Sequence, residues 1–145
     1  MRARDFLSKN EENLIIAAIK EAELDTSGEI RVHIESKCKT DLMQRAVYIF
    51  NYLDMHKTAQ RNGILIYVAV SNRRFAIIGD YGINSKVSDN FWIDIKNIMA
   101  ESFKKEDYCN GICCAIKRIG KKLKDYFPYQ KDDINEQPDD ISFGD

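Results

Sequence analysis

The chain has 145 residues, with 22 Lys and Arg against 23 Asp and Glu, so no basic excess suggests a nucleic acid partner. Its length and its hydrophobic content of 44% suit one domain with a buried core. No apolar run approaches the ~20 residues of a membrane span, and no apolar stretch follows the N-terminal arginines as in a signal peptide. We therefore expect a cytoplasmic protein and, by default, a monomer.

The first predicted elements are a helix and a strand. Ser8 and Glu11 form a capping-box pattern, and apolar residues at helical spacing continue to about Leu24. Residues 29–35 then alternate apolar side chains with charged ones and His33, as a strand with two different faces does. This alternation predicts a half-exposed or edge strand whose polar side lies in water.

A second helix and a hairpin follow. Thr40 can cap a helix whose apolar spacing runs from Leu42 to Leu53. Residues 64–70 are a continuous apolar run, which is typical of a strand covered on both faces, and a turn at 71–73 leads to a short antiparallel partner. Because a helix separates the first two strands, the pattern predicts a β-α-β unit with parallel strands.

The last third of the sequence predicts two more helices and a tail. Asn84 or Ser88 opens the third helix, and Pro128 stops the fourth. The acidic residues after it show no helical or strand period. We therefore predict a single domain over 1–130, and an acidic tail over 131–145 that packs partly near the loop end of the sheet.

Four cysteines fit a reducing compartment. Cys109, Cys113 and Cys114 fall in one predicted helix, and Cys38 lies elsewhere. A zinc site would need a second pair of ligands, and both histidines lie on other elements. We predict four reduced, buried thiols.

Polar residues converge at one end of the predicted sheet. The first strand begins there at Glu29, the second begins after Arg61, the hairpin ends there, and the fourth helix returns the tail to the same end. Carboxylate, amide and carbonyl oxygens suit a hard cation, and neighbouring carboxylates would otherwise repel one another. We predict a divalent metal site, with calcium favoured over magnesium, whose candidate ligands are Glu29, Asp80, Asn84, Asp132, Asp133 and Glu136. The alternative is that Arg61 pairs with Glu29 or Asp80 and that the tail is disordered.

Short motifs recur in a fixed order along nearly the whole chain. They are Glu23-x-x-Thr26-Ser27-Gly28-Glu29-Ile30, Lys57-Thr58-x-x-Arg61-Asn62-Gly63-Ile64-Leu65-Ile66-Tyr67, Arg74-Phe75-Ala76-Ile77-Ile78-Gly79-Asp80-x-Gly82-Ile83, Phe91-Trp92, Gly111-Ile112, Ile119-Gly120, Phe127-Pro128 and Asn135-Glu136-x-Pro138-Asp139. Together they resemble the TPM domain family, named for a thylakoid lumen protein, a photosystem II repair protein and a nematode receptor modulator.

The resemblance implies a three-layer α/β/α sandwich around a mixed sheet of about four strands. It also implies divalent-metal binding by acidic loops in at least some members, and the family label includes a phosphatase activity attached to a plant member. This chain has no Cys-x5-Arg loop, no Asp-x-Asp pair at a strand end and no histidine-rich two-metal set. Many members carry a signal peptide and a membrane anchor. This sequence departs from that pattern by showing neither, so we expect a stand-alone domain.

Two hypotheses of function follow. The first is a non-enzymatic, metal-responsive module that binds a protein partner of unknown identity. The second is a metal-assisted acid phosphatase acting on phosphoesters, in which Glu29 and Asp80 hold the ion and Arg61 binds phosphate. His33 is a poor proton carrier for it, because it lies roughly 13 Å from Glu29 along the strand. No residue is a convincing nucleophile, so we favour the interaction module.

Overall fold

The computed structural model describes residues 1–129 and 139–144. Its α-helices are α1 (Lys9–Glu23), α2 (Leu42–Tyr52), α3 (Tyr81–Asn84), α4 (Asp89–Lys104) and α5 (Tyr108–Tyr126). Its strands are β1 (Glu29–Glu35), β2 (Gly63–Ala69), β3 (Arg74–Gly79) and β4 (Ile141–Gly144), and short 3-10 turns cover Ala3–Asp5 and Met55–Lys57. Within this part of the chain, none of the helices has the length and apolar character to span a bilayer.

The four strands form one mixed sheet in the order β3-β2-β1-β4. β1 runs parallel to both β2 and β4, and β3 returns antiparallel to β2, which confirms the predicted β-α-β unit and hairpin. The tail was predicted to have no strand, and this is wrong for Ile141–Gly144. Four residues are too few to show a period of two in the sequence, and this strand forms only because β1 offers it an edge.

Helices cover both faces of the sheet. The larger core joins one face to α1, α4 and α5, through residues such as Ile19, Met99 and Ile116. The smaller core joins the other face to α2, through residues such as Phe50 and Leu65. The predicted α/β/α sandwich around four strands is therefore confirmed.

The helix starts refine the predictions. Ser8 forms the predicted capping box with Glu11. Asp41, rather than Thr40, caps α2, because its carboxylate accepts the Gln44 N–H at 3.0 Å. Ser88 caps the long helix α4.

The predicted loop after β3 is itself helical. Asp80 caps the single turn α3, which ends at Asn84, so Asn84 does not open the third long helix. The aspartate oxygen that accepts the Tyr81 N–H at 2.8 Å is what starts this turn.

The polar side of β1 does not lie in water, contrary to prediction. Glu29, His33 and Glu35 are only 3%, 5% and 1% exposed. β4 takes the edge position that the sequence assigned to β1, and α2 brings Arg45 onto the end of the polar row. The strand forms as predicted, but the prediction that its polar side lies in water is wrong.

Two glycines permit close approach of the backbone near the ends of β2 and β3. A Cβ on Gly82 would lie 2.1 Å from the Gln60 carbonyl oxygen, and one on Gly63 would lie 2.7 Å from the Met55 carbonyl oxygen. Neither glycine has a positive φ. These positions therefore need glycine for space rather than for a left-handed backbone.

Candidate functional site

The predicted meeting point of the loops exists at the end of the sheet where β1 and β2 begin. Glu29 pairs with Gly63 in the register, and the Asp80 N–H donates to the Gly63 carbonyl at 3.0 Å. Glu29, Gly63 and Asp80 therefore form a line across three strands. The Cα atoms of Glu29 and Asp80 are two strand spacings apart, which is about 10 Å.

Polar side chains hold the neighbouring loops in place. The Ser27 hydroxyl accepts hydrogen bonds from the side-chain amides of Asn62 at 3.1 Å and Gln60 at 3.2 Å. The Thr26 hydroxyl contacts the Leu123 carbonyl at 3.0 Å, which ties the start of β1 to the end of α5. These motif residues position the site, because they lock the loop before β1 to the loop before β2.

Asp80 forms an ion pair with Arg61. Arg61 Nε and Nη2 donate to the two carboxylate oxygens at 2.7 and 3.0 Å, and the guanidinium stacks over the Tyr81 ring at 4.5 Å. This bidentate contact raises the pKa of Arg61. Of the two ion pairs considered from the sequence, the structure shows Arg61 with Asp80, so a cation at Asp80 would compete with a guanidinium.

Asn84 lies on the outer side of β3, away from Glu29. Its Nδ2 donates to the Gly79 carbonyl at 2.7 Å, which ties the end of β3 to α3. The structure thus brings Asn84 next to the Asp80 loop but leaves the width of β2 and β3 between Asn84 and Glu29.

Carboxyl groups do converge on the other side of Glu29. Glu23 is the last residue of α1, and its Oε2 accepts the Ile30 N–H at 2.8 Å. β4 pairs with β1 from Ile141 and Val32 onward, so Asp139, two residues before β4, lies near the start of β1 and interacts with the Glu23 side chain. The start of β1 therefore gathers Glu23, Glu29 and Asp139, which we call the carboxyl group cluster.

The carboxyl group cluster strongly disfavours a negative charge on Glu23. Burial raises the pKa of Glu23 to about 10, with further increases from the hydrogen bond to Asp139 and from the charge of Glu29. Two carboxyl groups can share a hydrogen bond only if one of them keeps a proton. The raised pKa of Glu23 therefore means that the cluster holds a proton at neutral pH.

The remaining predicted ligands, Asp132, Asp133 and Glu136, lie outside the described residues. Among residues 1–129 and 139–144, no three His, Cys, Asp or Glu side chains are already arranged as a metal-ligand set. Glu23 and Asp139 were missed as candidates, although both stand in the sequence pieces that resemble the family. Only the strand β4 reveals their proximity, because its pairing with β1 brings the residues just before Ile141 back to the start of β1.

A second polar network lies at the other end of β1. The Glu35 carboxylate accepts hydrogen bonds from the Arg45 guanidinium and the Tyr67 hydroxyl. Burial alone would raise the pKa of Glu35, but these two donors outweigh burial and lower it. His33 Nδ1 lies 2.6 Å from the Ser142 hydroxyl, and His33 Nε2 lies 3.8 Å from Glu35. Arg45 and Tyr67 therefore compensate the charge of Glu35, and the network ties α2, β2 and β4 to β1.

The four cysteines are free thiols, as predicted. Cys38 and Cys109 are buried, Cys113 is partly buried, and Cys114 is exposed, so the prediction of burial is wrong for Cys114. Its position on the outward side of α5 explains the difference. Burial raises the pKa of Cys109, and raises that of Cys113 to about 12, which keeps both thiols protonated and unreactive.

Known proteins resemble this chain in sequence and fold. Residues 1–122 match the family model of the TPM domain. The BA42 protein of the psychrophilic bacterium Bizionia argentinensis, with an NMR structure, is 46% identical over 96% of both chains, with a TM-score of 0.89. No curated protein matches the sequence.

Two other solution structures share the fold at low sequence identity. The N-terminal domain of cg2496 from Corynebacterium glutamicum is 16% identical, with a TM-score of 0.63 over 81% of this chain and 74% of that domain. The N-terminal domain of a P. gingivalis protein is also 16% identical, with a TM-score of 0.71 over 86% of this chain and 83% of that one. At this identity the likeness shows the fold alone.

Proposed function

This chain belongs to the TPM domain family, and from that premise we propose that it is a calcium-responsive module that binds a protein partner. The observation that carries the proposal is the gathering of the Glu23, Asp139 and Glu29 carboxyl groups at the start of β1, where Glu23 Oε1 is buried without a hydrogen-bond donor among the described residues. Carboxyl groups held this close favour a bound cation, because a cation removes the like-charge repulsion that a proton otherwise neutralises.

The donor atoms suit calcium better than magnesium. Glu23, Glu29 and Asp139 supply oxygens only, which is the ligand type of hard divalent cations. Calcium accepts irregular geometry and completes its shell with water, whereas magnesium demands a near-octahedral site and gives up its waters reluctantly. A cluster built from three separate elements therefore supports the larger ion.

The position of the cluster supports a response of the fold to the ion. Glu23 ends α1, Glu29 starts β1, and Asp139 precedes β4. An ion held by all three favours the conformation in which these elements are together, because a ligand shifts the population toward the state that binds it. Asp80 offers a weaker site, since Arg61 already supplies its positive charge.

The proposal is tested by thermal unfolding in EDTA and in millimolar Ca²⁺. We expect Ca²⁺ to raise the melting temperature of the natural protein. At a hundredfold excess of Ca²⁺ over Kd, the free energy of unfolding should increase by about 2.7 kcal/mol. Mg²⁺ should act more weakly. Glu23→Gln should abolish the response, and Glu21→Gln, an exposed glutamate of the same helix, should retain it.

Amide NMR shifts locate the ion. We expect Ca²⁺ to shift residues 23, 30 and 139, and Asp80→Asn to leave the response in place. Shifts confined to 80–86, with loss of the response in Asp80→Asn, would return the site to the Asp80 loop. No change in melting temperature or spectrum in Ca²⁺ would refute metal binding itself.

The described contacts do not favour the phosphatase hypothesis. Arg61, its phosphate-binding residue, donates to both oxygens of Asp80. His33 lies with Glu35 at the far end of β1. The hypothesis stays a prediction, and a phosphoester assay with Mg²⁺, Ca²⁺ and Mn²⁺ on the natural protein and Asp80→Asn tests it. Hydrolysis that is lost in the variant would favour the enzyme.

A further inference from the structure

The outer edge of β3 is open to another strand. Within residues 1–129 and 139–144, β3 pairs with β2 alone. The Asp80 N–H donates to the Gly63 carbonyl. In an antiparallel pair, every second residue of a strand directs its N–H and C=O groups toward the partner strand. The backbone groups of Phe75, Ile77 and Gly79 therefore point away from β2. Among the described residues, only the Gly79 carbonyl of these groups has a partner, the Asn84 side chain.

This edge has few of the features that normally block strand addition. The sequence of β3 contains no proline, and its only charged residue is Arg74 at the start of the strand. Natural sheets usually protect an open edge with charges, prolines or bulges. An edge left open beside a groove is the arrangement that peptide-binding domains use for strand addition.

A groove of about 510 Å³ runs between this edge and α4. Trp92 and Ile93 give it an apolar wall, and Ile93 is 50% exposed. Lys96 supplies a positive charge farther along the same helix, and Asp89 supplies a negative charge at the first turn, on the other side of Trp92. Trp92 and Lys96 are four residues apart, or about 6 Å along the helix axis. Consecutive side chains on the same face of a strand are about 6.6 Å apart, which is close to the separation of Trp92 and Lys96 along the helix.

We propose that the groove between β3 and α4 binds an extended peptide that adds to β3, with a bulky apolar side chain against Trp92 and an acidic side chain two residues away at Lys96. The outward backbone groups of Phe75 and Ile77 supply its hydrogen bonds. The proposal names the class of partner for the interaction module and in that respect rests on the proposed function.

A peptide fits this groove better than a second copy of the chain. In a dimer that pairs two β3 edges, the β3 strand of the second copy would have to fill the groove. It could do so only with the side chains that face its own helix α4. Those side chains, such as Ile77, are already packed in their own core. A separate peptide has one side chain to place against Trp92 and another to place at Lys96.

The test begins with a library of random nine-residue peptides displayed on phage, selected in EDTA against the natural protein. We expect enriched peptides to combine a large apolar residue with Asp or Glu two positions away. Selection against Lys96→Glu should change that acidic position to Lys or Arg. Failure to enrich any peptide would overturn the proposal, as would an unchanged acidic preference in Lys96→Glu.

Binding of a selected peptide is then measured by the fluorescence of Trp92, the only tryptophan of the chain. Ile93→Asp should weaken binding roughly tenfold or more, and Leu14→Asp, at an exposed apolar residue on α1, should leave it unchanged. N-methylation of alternate peptide amides should abolish binding, because it removes the donors to β3. Equal binding by the methylated peptide or by Ile93→Asp would contradict strand addition.

Two further measurements separate this proposal from the others. Sedimentation without peptide should show a monomer, and a dimer that Ile77 or Ile93 variants dissociate would assign the edge to a second copy instead. Peptide binding in EDTA is compared with the Ca²⁺ effect on melting temperature. If no peptide binds but Ca²⁺ still raises the melting temperature, the groove proposal is refuted and metal binding stands. If a peptide binds but Ca²⁺ has no effect, the metal site is refuted and the groove proposal stands.

Discussion

Glu23, the last residue of α1, lies beside the start of β1, and Glu35 lies at the end of β1, and their pKa values move in opposite directions. Burial and the neighbouring carboxyl groups of Asp139 and Glu29 raise the pKa of Glu23 to about 10. Burial also acts against the charge of Glu35, but hydrogen bonds from Arg45 and Tyr67 outweigh it and lower the pKa. The same type of side chain therefore behaves differently near the two ends of β1, because its neighbours differ.

The opposite pKa shifts indicate a structural role for Glu35 and a candidate functional role for Glu23. Glu35 carries its compensating donors on α2 and β2, so its charge helps to fix the packing of these elements on β1. Glu23 faces groups of its own charge type, so its protonation state depends on pH. We therefore expect the start of β1 to respond to pH and, under the proposed function, to calcium, and we expect the end of β1 to stay rigid.

The largest effect is expected when Glu35 loses its cation. Arg45→Met leaves a buried carboxylate without its guanidinium and should lower the free energy of unfolding by about 3 kcal/mol. Urea unfolding at neutral pH measures it. Arg118→Met, on the exposed side of α5, is the matched control and should change stability by less than about 0.5 kcal/mol. Adding Glu35→Gln to Arg45→Met should recover part of the loss, and a fully additive loss would contradict the coupling.

A smaller loss is expected from the second donor to Glu35. Tyr67→Phe keeps the buried ring but removes the hydroxyl that donates to the carboxylate. Hydrogen bonds to charged groups contribute about 1.5 kcal/mol or more, so unfolding should become easier by that amount. Tyr52→Phe, whose side chain is on the surface of α2, serves as the control. Equal stability of the two variants would mean that Arg45 alone compensates Glu35.

The sequence contains most of this fold because its local signals agree with the tertiary arrangement. The apolar run of β2, the Ser8 capping box and the helix between β1 and β2 all predict the elements that form. β4 escaped prediction because it is short and depends on pairing with β1, some 110 residues earlier in the chain. The burial of Glu35 escaped prediction for the same reason, since Arg45 and Tyr67 reach it only after folding.

The candidate site was predicted in part. Topology alone places Glu29 and Asp80 at one end of the sheet, as the register confirms. Sequence spacing could not tell whether Asp80 would meet a cation or another carboxylate, and it meets Arg61. Glu23 and Asp139 are 116 positions apart and become neighbours only through β4. A site assembled by a short edge strand leaves little trace in local patterns.

At the start of β1, we expect the protein to gain stability when the Glu23 side chain is made permanently neutral. In the folded protein Glu23 keeps its proton up to a pKa of about 10, whereas the ordinary value is 4.5. The folded state binds the extra proton between these values, so this contribution to stability is present below pH 4.5 and is lost as pH rises toward 10. Glu23→Gln should gain about 1 kcal/mol at mildly alkaline pH in EDTA. Glu21→Gln is the control, and an unchanged pH dependence in Glu23→Gln would contradict the raised pKa.

The smallest effect is expected from His33, which shares the Glu35 end of β1. Burial lowers the pKa of His33 from its ordinary value of 6.5, with Arg45 and Arg31 acting in the same direction and Glu35 opposing them. Unfolded His33 takes up a proton as pH falls below 6.5, and folded His33 takes it up only at lower pH. This contribution to stability is therefore present above pH 6.5 and is lost as pH falls through that window. His33→Gln can still bond to Ser142 and should weaken the loss of stability in mild acid by about 0.5 kcal/mol. Urea unfolding across the acid range, with His56→Gln as the control, measures the change. If His33→Gln left the acid limb as steep as before, the pH response of this end of β1 would belong to Glu35 alone.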